Sequence, residues 1–182
     1  MFKLNIPKFN MGVESKDFFL SNKVNEIILN QAKKEKNIVY GARSIQAQGG
    51  LFSRYTQDWD ILSKKPKNSA LKTETALDKL YGSNQFYVKP ALHPGTHKVM
   101  NKGNDKRKGT EDDYGIVDYT TLNNKGLRYR NINGIRYRNL SQEKKAKYKA
   151  LRDKTQQFRW EKDREDLERI KLIQGTSKWK EV

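Results

Sequence analysis

The chain has 182 residues, 35% of them hydrophobic, with 38 lysines and arginines against 21 acidic residues for a formal net charge of +17. That length allows one domain, or one domain with a small appendage. The absence of cysteine excludes disulfides, thiolate zinc sites and cysteine nucleophiles, and fits a reducing compartment. No apolar run reaches the length of a membrane span, and the first residues (Met1-Phe2-Lys3-Leu4-Asn5-Ile6-Pro7-Lys8) lack the apolar core of a signal peptide. The expectation is a soluble, intracellular, cytoplasmic protein without a membrane partner. So large a basic excess calls for a polyanionic partner, with nucleic acid ahead of membrane.

Residues 16–36 read as a helix, with Val24, Ile27, Ile28 and Ala32 at helical spacing and lysines gathered near the C-terminal end. Ile38 to Tyr40 form a strand and Gly41 turns the chain. A polar, glycine-bearing span then leads into a second strand, Asp58-Trp59-Asp60-Ile61-Leu62. On a strand, residues i and i+2 face the same way, so Asp58 and Asp60 project together while Trp59 and Ile61 turn toward a core. Two adjacent carboxylates repel unless a cation sits between them, and a divalent metal carrying phosphate is the usual occupant. The bland alternative is a solvated strand edge with two incidental acids. This Asp-x-Asp is the only one in the chain, and bulky apolar side chains interleave it.

Ser69 to Tyr81 is a second amphipathic helix, with Ala70, Leu77 and Leu80 inward and Gly82 as its stop. Phe86 to Leu92 is a strand interrupted by Pro90, which suits a sheet edge. Thr96 to Met100 and Tyr114 to Tyr119 are two further strands. Between them, residues 101–113 are rich in Lys, Asp and Gly and read as a solvated, mobile loop. An internal echo follows, Arg128-Tyr129-Arg130-Asn131 and Arg136-Tyr137-Arg138-Asn139, around Asn133-Gly134. Asn-Gly between two β-prone runs predicts a two-residue hairpin turn. In that register Tyr129 shares a face with Arg136 and Arg138, and Tyr137 shares the other with Arg128 and Arg130. The hairpin offers cations for phosphates and rings for bases, as single-stranded nucleic acid favours. The alternative is that its tyrosines pack on the closing helix.

From Ser141, read as an N-cap, the chain is helical to about Gln174 in one or two pieces, and Gly175 ends it. Leu151, Phe158, Leu167, Ile170 and Ile173 supply its apolar stripe, and Lys144, Lys145, Lys147 and Lys149 form a solvated face. The order of elements gives an α+β fold with a mixed or antiparallel sheet flanked by helices and a C-terminal helical segment. Residues 1–124 form the core, and residues 125–182 form a basic hairpin and helical appendage packed on it.

A phosphoryl-transfer site with two metals needs about three acidic groups. Asp118, on the apolar strand Gly115-Ile116-Val117-Asp118-Tyr119, is the third candidate. His93 and His97 straddle Pro94-Gly95 and cannot form a helical zinc pair; a structural hydrogen bond is their simpler reading. There is no P-loop.

Several short motifs together resemble the DNA polymerase β-like nucleotidyltransferase superfamily. They are Val39-Tyr40-Gly41-Ala42-Arg43, Arg54-x-Thr56-x-Asp58-x-Asp60, His93-x-Gly95-Thr96-x-Lys98-Val99 and Val117-Asp118-Tyr119-Thr120. A late Arg159-x-x-Lys162-Asp163-x-x-Asp166 is similar to the family's closing helix. The nearest likeness is to the catalytic-subunit-like poly(A) polymerases of large DNA viruses, which would make this a viral protein of the host cytoplasm. The resemblance implies a palm-like sheet and transfer of a nucleoside monophosphate from an NTP, ATP first, to an acceptor hydroxyl, foremost an RNA 3′-end. It implies Mg²⁺ or Mn²⁺ at Asp58, Asp60 and Asp118, and nucleotide contacts at Gly41, Ala42, Arg43, Ser44 and Arg54. Ala42 departs from the family's Gly or Ser, with Ser44 or a backbone N–H as the substitute. The stretch from Ala42 to Asp58 is also longer than usual, and the chain has no room for the extra domains of full poly(A) polymerases. Single-stranded RNA would lie on Arg128, Tyr129, Arg130, Arg136, Tyr137 and Arg138. Two other readings stand beside this one: a toxin-type protein AMP-transferase using the same site, and an idle RNA-binding accessory subunit of an oligomer.

Overall fold

The computed structural model describes residues 22–49, 56, 58–123 and 125–177, and the statements below concern these. Helix α1 (Asn22–Lys34) buries Val24, Ile28 and Ala32, a stripe at four-residue spacing. Residues 16–21 of the expected helix lie outside the described residues. Strand β1 (Ile38–Tyr40) runs straight into helix α2 (Gly41–Gly49). The sequence reading made Gly41 a turn into a polar span, whereas it is both the turn and the first helical residue, at φ 70. A nine-residue helix with few apolar positions shows too little periodicity to be seen in sequence.

Strand β2 (Trp59–Ser63) is followed by helix α3 (Pro66–Tyr81), which opens on proline and closes on Gly82 in the left-handed region. Its buried stripe is Ser69, Ala70, Thr73 and Leu77. Leu80, expected inward, lies in the last turn and is exposed. Strands β3 (Phe86–Pro90), β4 (Thr96–Asn101) and β5 (Tyr114–Thr121) follow, then the hairpin β6 (Tyr129–Ile132) and β7 (Ile135–Arg138). The β4–β5 connection is closed by its own acids. Asp112 accepts from the Asn104 and Asp105 amides, and Asp113 accepts from Tyr87 Oη and the Gly109 amide.

All seven strands form one mixed sheet in the order β3-β4-β5-β2-β1-β7-β6. The pairs β2–β5 and β1–β7 are parallel and the rest antiparallel. Pro90 ends an edge strand, where its missing N–H costs no ladder bond. One face of the sheet carries Val39, Trp59, Ile61, Val99, Val117, Tyr119 and Tyr137 into a core with α1 and α3. The residues that alternate with these point to the other face.

The C-terminal segment folds over that other face as helix α4 (Leu140–Ala150), a 3-10 turn (Lys154–Arg159) and helix α5 (Trp160–Ser177). Asn139, not Ser141, is the N-cap of α4, accepting from the Gln142 amide at 3.0 Å. Helix α5 continues through Gly175. A second small core joins α2 to α5 through Ile45, Ile170 and Ile173, with Leu140 against it. Gly49 lets the two helices meet, since a Cβ there would overlap the Ile173 side chain. Phe158, expected in the apolar stripe, is instead 87% exposed. Among the described residues no helix is long and apolar enough to cross a membrane.

Candidate active site

Register brings the acids together. Lys98 lies opposite Asp118, Asp118 opposite Asp60, and Asp60 opposite Tyr40, a row across β4, β5, β2 and β1 on the face away from the main core. Asp58 stands just before β2, not within it, and accepts from Thr56 Oγ1 at 3.2 Å. A cavity of about 630 Å³ opens over the row, lined by Asp58, Asp60 and Asp118 together with Ala42, Thr56, Lys98 and Phe158. Lys147 of α4, Arg159 of the 3-10 turn and Lys162 of α5 complete its wall with positive charge.

The acids carry the strain of this crowding. Burial, then the charges of Asp58 and Asp118, push Asp60 up to about 7, and Lys147 opposes the shift only in part. Burial also raises Asp118, against the pull of Lys98, whose Nζ lies 2.9 Å from Asp118 Oδ2. Asp118 Oδ1 is buried without a hydrogen-bond partner. Among the described residues no three His, Cys, Asp or Glu side chains form a ready-made metal cluster. The donor set nonetheless fits a divalent ion: hard carboxylate oxygens, one of them buried and unpartnered, whose mutual repulsion a cation would relieve.

The turn from β1 to α2 is held from behind. The Gly41 amide donates to Glu143 Oε1 at 2.9 Å, and Arg138 clasps the same carboxylate through Nε at 2.9 Å and Nη2 at 2.6 Å. Glu143 is fully buried, and Arg138 also lies 4.9 Å over the Tyr40 ring. A side chain at Gly41 would run into the Asp60 carboxylate, so glycine serves both the backbone angle and the space.

Of the residues expected at a nucleotide, Ala42 lines the cavity and Gly41 borders Asp60. Arg43 points elsewhere, donating to the Thr56 carbonyl at 2.9 Å and lying 4.6 Å over Trp59. Ser44 is fully buried and donates to the Arg138 carbonyl at 2.6 Å, so its hydroxyl is turned away from the cavity. Arg54 lies outside the described residues. Neither histidine lines the cavity; His93 is exposed with its Nδ1 3.0 Å from the Pro94 carbonyl, the structural hydrogen bond expected of a histidine, while His97 Nδ1 is buried without a hydrogen-bond partner.

The hairpin has the expected two-residue turn, with Asn133 at φ 54 and Gly134 at φ 83. Its six expected nucleic-acid residues divide. Arg128, Tyr129 and Arg130 are exposed, and Arg136 lies 4.7 Å over the Tyr129 ring. Tyr137 does not reach a ligand surface, because it is packed in the main core. Arg138 does not either, being committed to Glu143. Lys147 corrects the solvated-lysine reading: it is 5% exposed and lies 2.8 Å from both Asp163 and Asp166. Glu143 and Lys147 were missed because a Glu and a Lys four apart usually mark a solvated helix face. The signal that could have found them is the facing pair of acids, Asp163 and Asp166, three apart on the next helix.

No family model matches the chain, and no curated protein matches it significantly. Solved structures do. The Megavirus polyadenylate synthase superposes with a TM-score of 0.65 at 19% identity, over 84% of this chain and 31% of that one. This chain has the nucleotidyltransferase fold. JHP933 from Helicobacter pylori shares it, with a TM-score of 0.56 at 14% identity, over 86% of this chain and 66% of that one. The chain thus spans about a third of the viral protein and about two thirds of the bacterial one. On this nucleotidyltransferase fold, the aspartate row and the cations facing it occupy the sheet face left open by α1 and α3.

Proposed function

We propose that the protein is a metal-dependent nucleotidyltransferase that moves a nucleoside monophosphate from an NTP, ATP first, to the 3′-hydroxyl of a single-stranded RNA. The observation that carries this reading is the convergence of Asp58, Asp60 and Asp118 on one cavity whose other wall, from the C-terminal segment, brings Lys147, Arg159 and Lys162. Carboxylates alone repel a triphosphate and cations alone bind one without activating it; the two walls together suit phosphoryl transfer.

Asp58, Asp60 and Asp118 would hold a divalent ion, Mg²⁺ or Mn²⁺. When bound, it neutralises triphosphate charge and lowers the pKa of the attacking hydroxyl. The chain's own cations take the rest. Arg159 and Lys162 bind phosphate oxygens and the departing pyrophosphate, Lys147 stays between Asp163 and Asp166 and adds its field to the wall, and Lys98 orients Asp118. Ala42 and the backbone of the Gly41 turn, fixed by Glu143, border the phosphates without a hydroxyl contact. Phe158, 87% exposed at the cavity, presents a ring for the base.

The test is incubation with Mg²⁺ or Mn²⁺, each α-labelled NTP, and RNA, DNA or protein acceptors. Label on RNA ends supports the proposal. Label only on protein makes it a protein AMP-transferase. No label on any acceptor, with oligonucleotide still bound, makes it an RNA-binding accessory subunit.

A further inference from the structure

A second cavity, of about 260 Å³, lies on the same side of the sheet as the aspartates. Ile38 and Tyr40 share a strand face, Arg136 is registered with Ile38, and Asp60 with Tyr40. Within this cavity Arg136 is therefore two residues along and two strands over from Asp60, about 7 Å by 10 Å by sheet geometry, while Lys64 and Leu122 lie four residues along the chain from Asp60 and Asp118. Thr120 lies between the aspartate row and this cavity, two residues from Asp118 and two from Leu122, and its Oγ1 is 3.1 Å from Tyr40 Oη and 3.0 Å from Thr96 Oγ1.

The groove is built for a polyanion that carries flat apolar groups. Lys36, Lys64 and Arg136 line it, with Leu122 and Leu127 beside them. Its one acid, Glu35, is taken up by Lys72 at 2.7 Å and by Ser69. Among the described residues no carboxylate pairs with Lys36 or Lys64. Tyr129 is 46% exposed and is held by Arg136, which lies over its ring and donates to the Lys36 carbonyl at 3.3 Å. An acidic peptide would satisfy the cations but leave the ring and leucines unused. A strand of nucleotides uses both, with phosphates on the cations and a base on the ring.

We propose that this groove seats the acceptor strand a few nucleotides upstream of its reacting end, so that the strand passes Thr120 to reach the aspartates. Its location as an acceptor subsite rests on the proposed nucleotidyl transfer; its binding of single-stranded nucleic acid does not. The groove gives the enzyme a grip on a strand longer than a mononucleotide and makes the acceptor's length a determinant of affinity.

The experiment measures binding of fluorescein-labelled single-stranded oligo(A) RNA by anisotropy across a salt series, on the full chain without NTP or metal. Tyr129→Ala is expected to weaken binding roughly 5- to 150-fold, and Tyr129→Phe to restore it, because the ring and not the hydroxyl stacks. Lys36→Gln with Lys64→Gln should reduce the slope of log affinity against log salt by about 1.4. An abasic strand of equal length, which lacks the ring's partner, should bind wild type more weakly than oligo(A); the exposed pair Lys145→Gln with Lys149→Gln, outside the groove, should keep that preference, and Tyr129→Ala should lose it. In transfer assays the groove variants should raise KM for the oligonucleotide and leave kcat and the NTP KM unchanged. Wild-type affinity in Tyr129→Ala, or polyglutamate competing as well as RNA, would overturn the proposal even if transfer is intact. Absent transfer with groove-dependent binding would overturn the enzymatic reading instead and leave the groove as a nucleic-acid site.

Discussion

Asp60 is held at about 7 by burial and by two neighbouring carboxylates, against an ordinary value of 3.8. Between those two pH values the folded protein keeps a proton that the unfolded chain has released. The stability from this group is full below about pH 4 and is lost as pH rises through about 7. The melting temperature of the metal-free protein should therefore fall between pH 5 and pH 8, and Asp60→Asn should flatten that fall and raise the melting temperature at pH 8. Asp118→Asn is expected to differ, because it removes the partner of Lys98 as well as a repulsive charge, and so gains little or loses. Both variants should abolish metal-dependent transfer, and the double variant should cost no more than either alone, because the acids work as a unit. Differential scanning fluorimetry over pH, with and without Mg²⁺, checks the first pair of outcomes, and turnover the second. Phe158 is the converse case. Its ring is almost wholly exposed, so Phe158→Ala should shift stability by less than about 0.5 kcal/mol while raising the NTP KM.

At the scale of elements, the site is a strand–helix turn braced by a later helix. Glu143 and Lys147 sit one turn apart on α4; the first fixes Gly41 and Arg138, the second ties Asp163 and Asp166 of α5 beneath the cavity. Burial raises the Glu143 carboxyl, and the Arg138 guanidinium opposes that rise. Removing Glu143 takes the carboxylate from the buried Arg138, and removing Lys147 takes from Asp163 and Asp166 the ammonium they share, leaving them only the more exposed Arg159 and Arg169. Glu143→Ala and Lys147→Ala should each cost about 3–5 kcal/mol in urea denaturation. Exchanging Glu143 and Arg138 together for Leu and Met should cost less, since no lone charge stays buried. If the single changes prove neutral, the helix is not the brace it is taken to be.

For the whole molecule, the sheet is covered by α1 and α3 on one face, while the other keeps its aspartates, cations and hydroxyls open to a cavity. The excess of +17 is spread unevenly in its consequences. Some arginines are structural and others are exposed, and the hairpin shows both kinds. Arg128→Ala with Arg130→Ala should leave the melting temperature unchanged and reduce the salt slope of oligonucleotide binding by about 1.4. Arg138→Ala should lower the melting temperature by several degrees and hardly move the slope. A salt titration run beside a melting curve on each variant separates the two roles.

What could be read from residues alone was local. The stripe Val24, Ile28 and Ala32, the Asn133-Gly134 turn, the edge proline at Pro90 and the alternation around Asp60 each depend on neighbours a few positions away. Periodicity and backbone preference are properties of short segments, so sequence carries them. The pairing that sets Asp118 beside Asp60, and the parallel docking of the hairpin on β1, join residues far apart along the chain. Lys147 and Phe158 show the limit most plainly. One is a lysine in a lysine-rich stretch that folding buries between two aspartates; the other is a phenylalanine that folding leaves almost bare. Whether a side chain meets water or another chain segment is decided by what the rest of the sheet and its helices bring against it, and no local pattern records that.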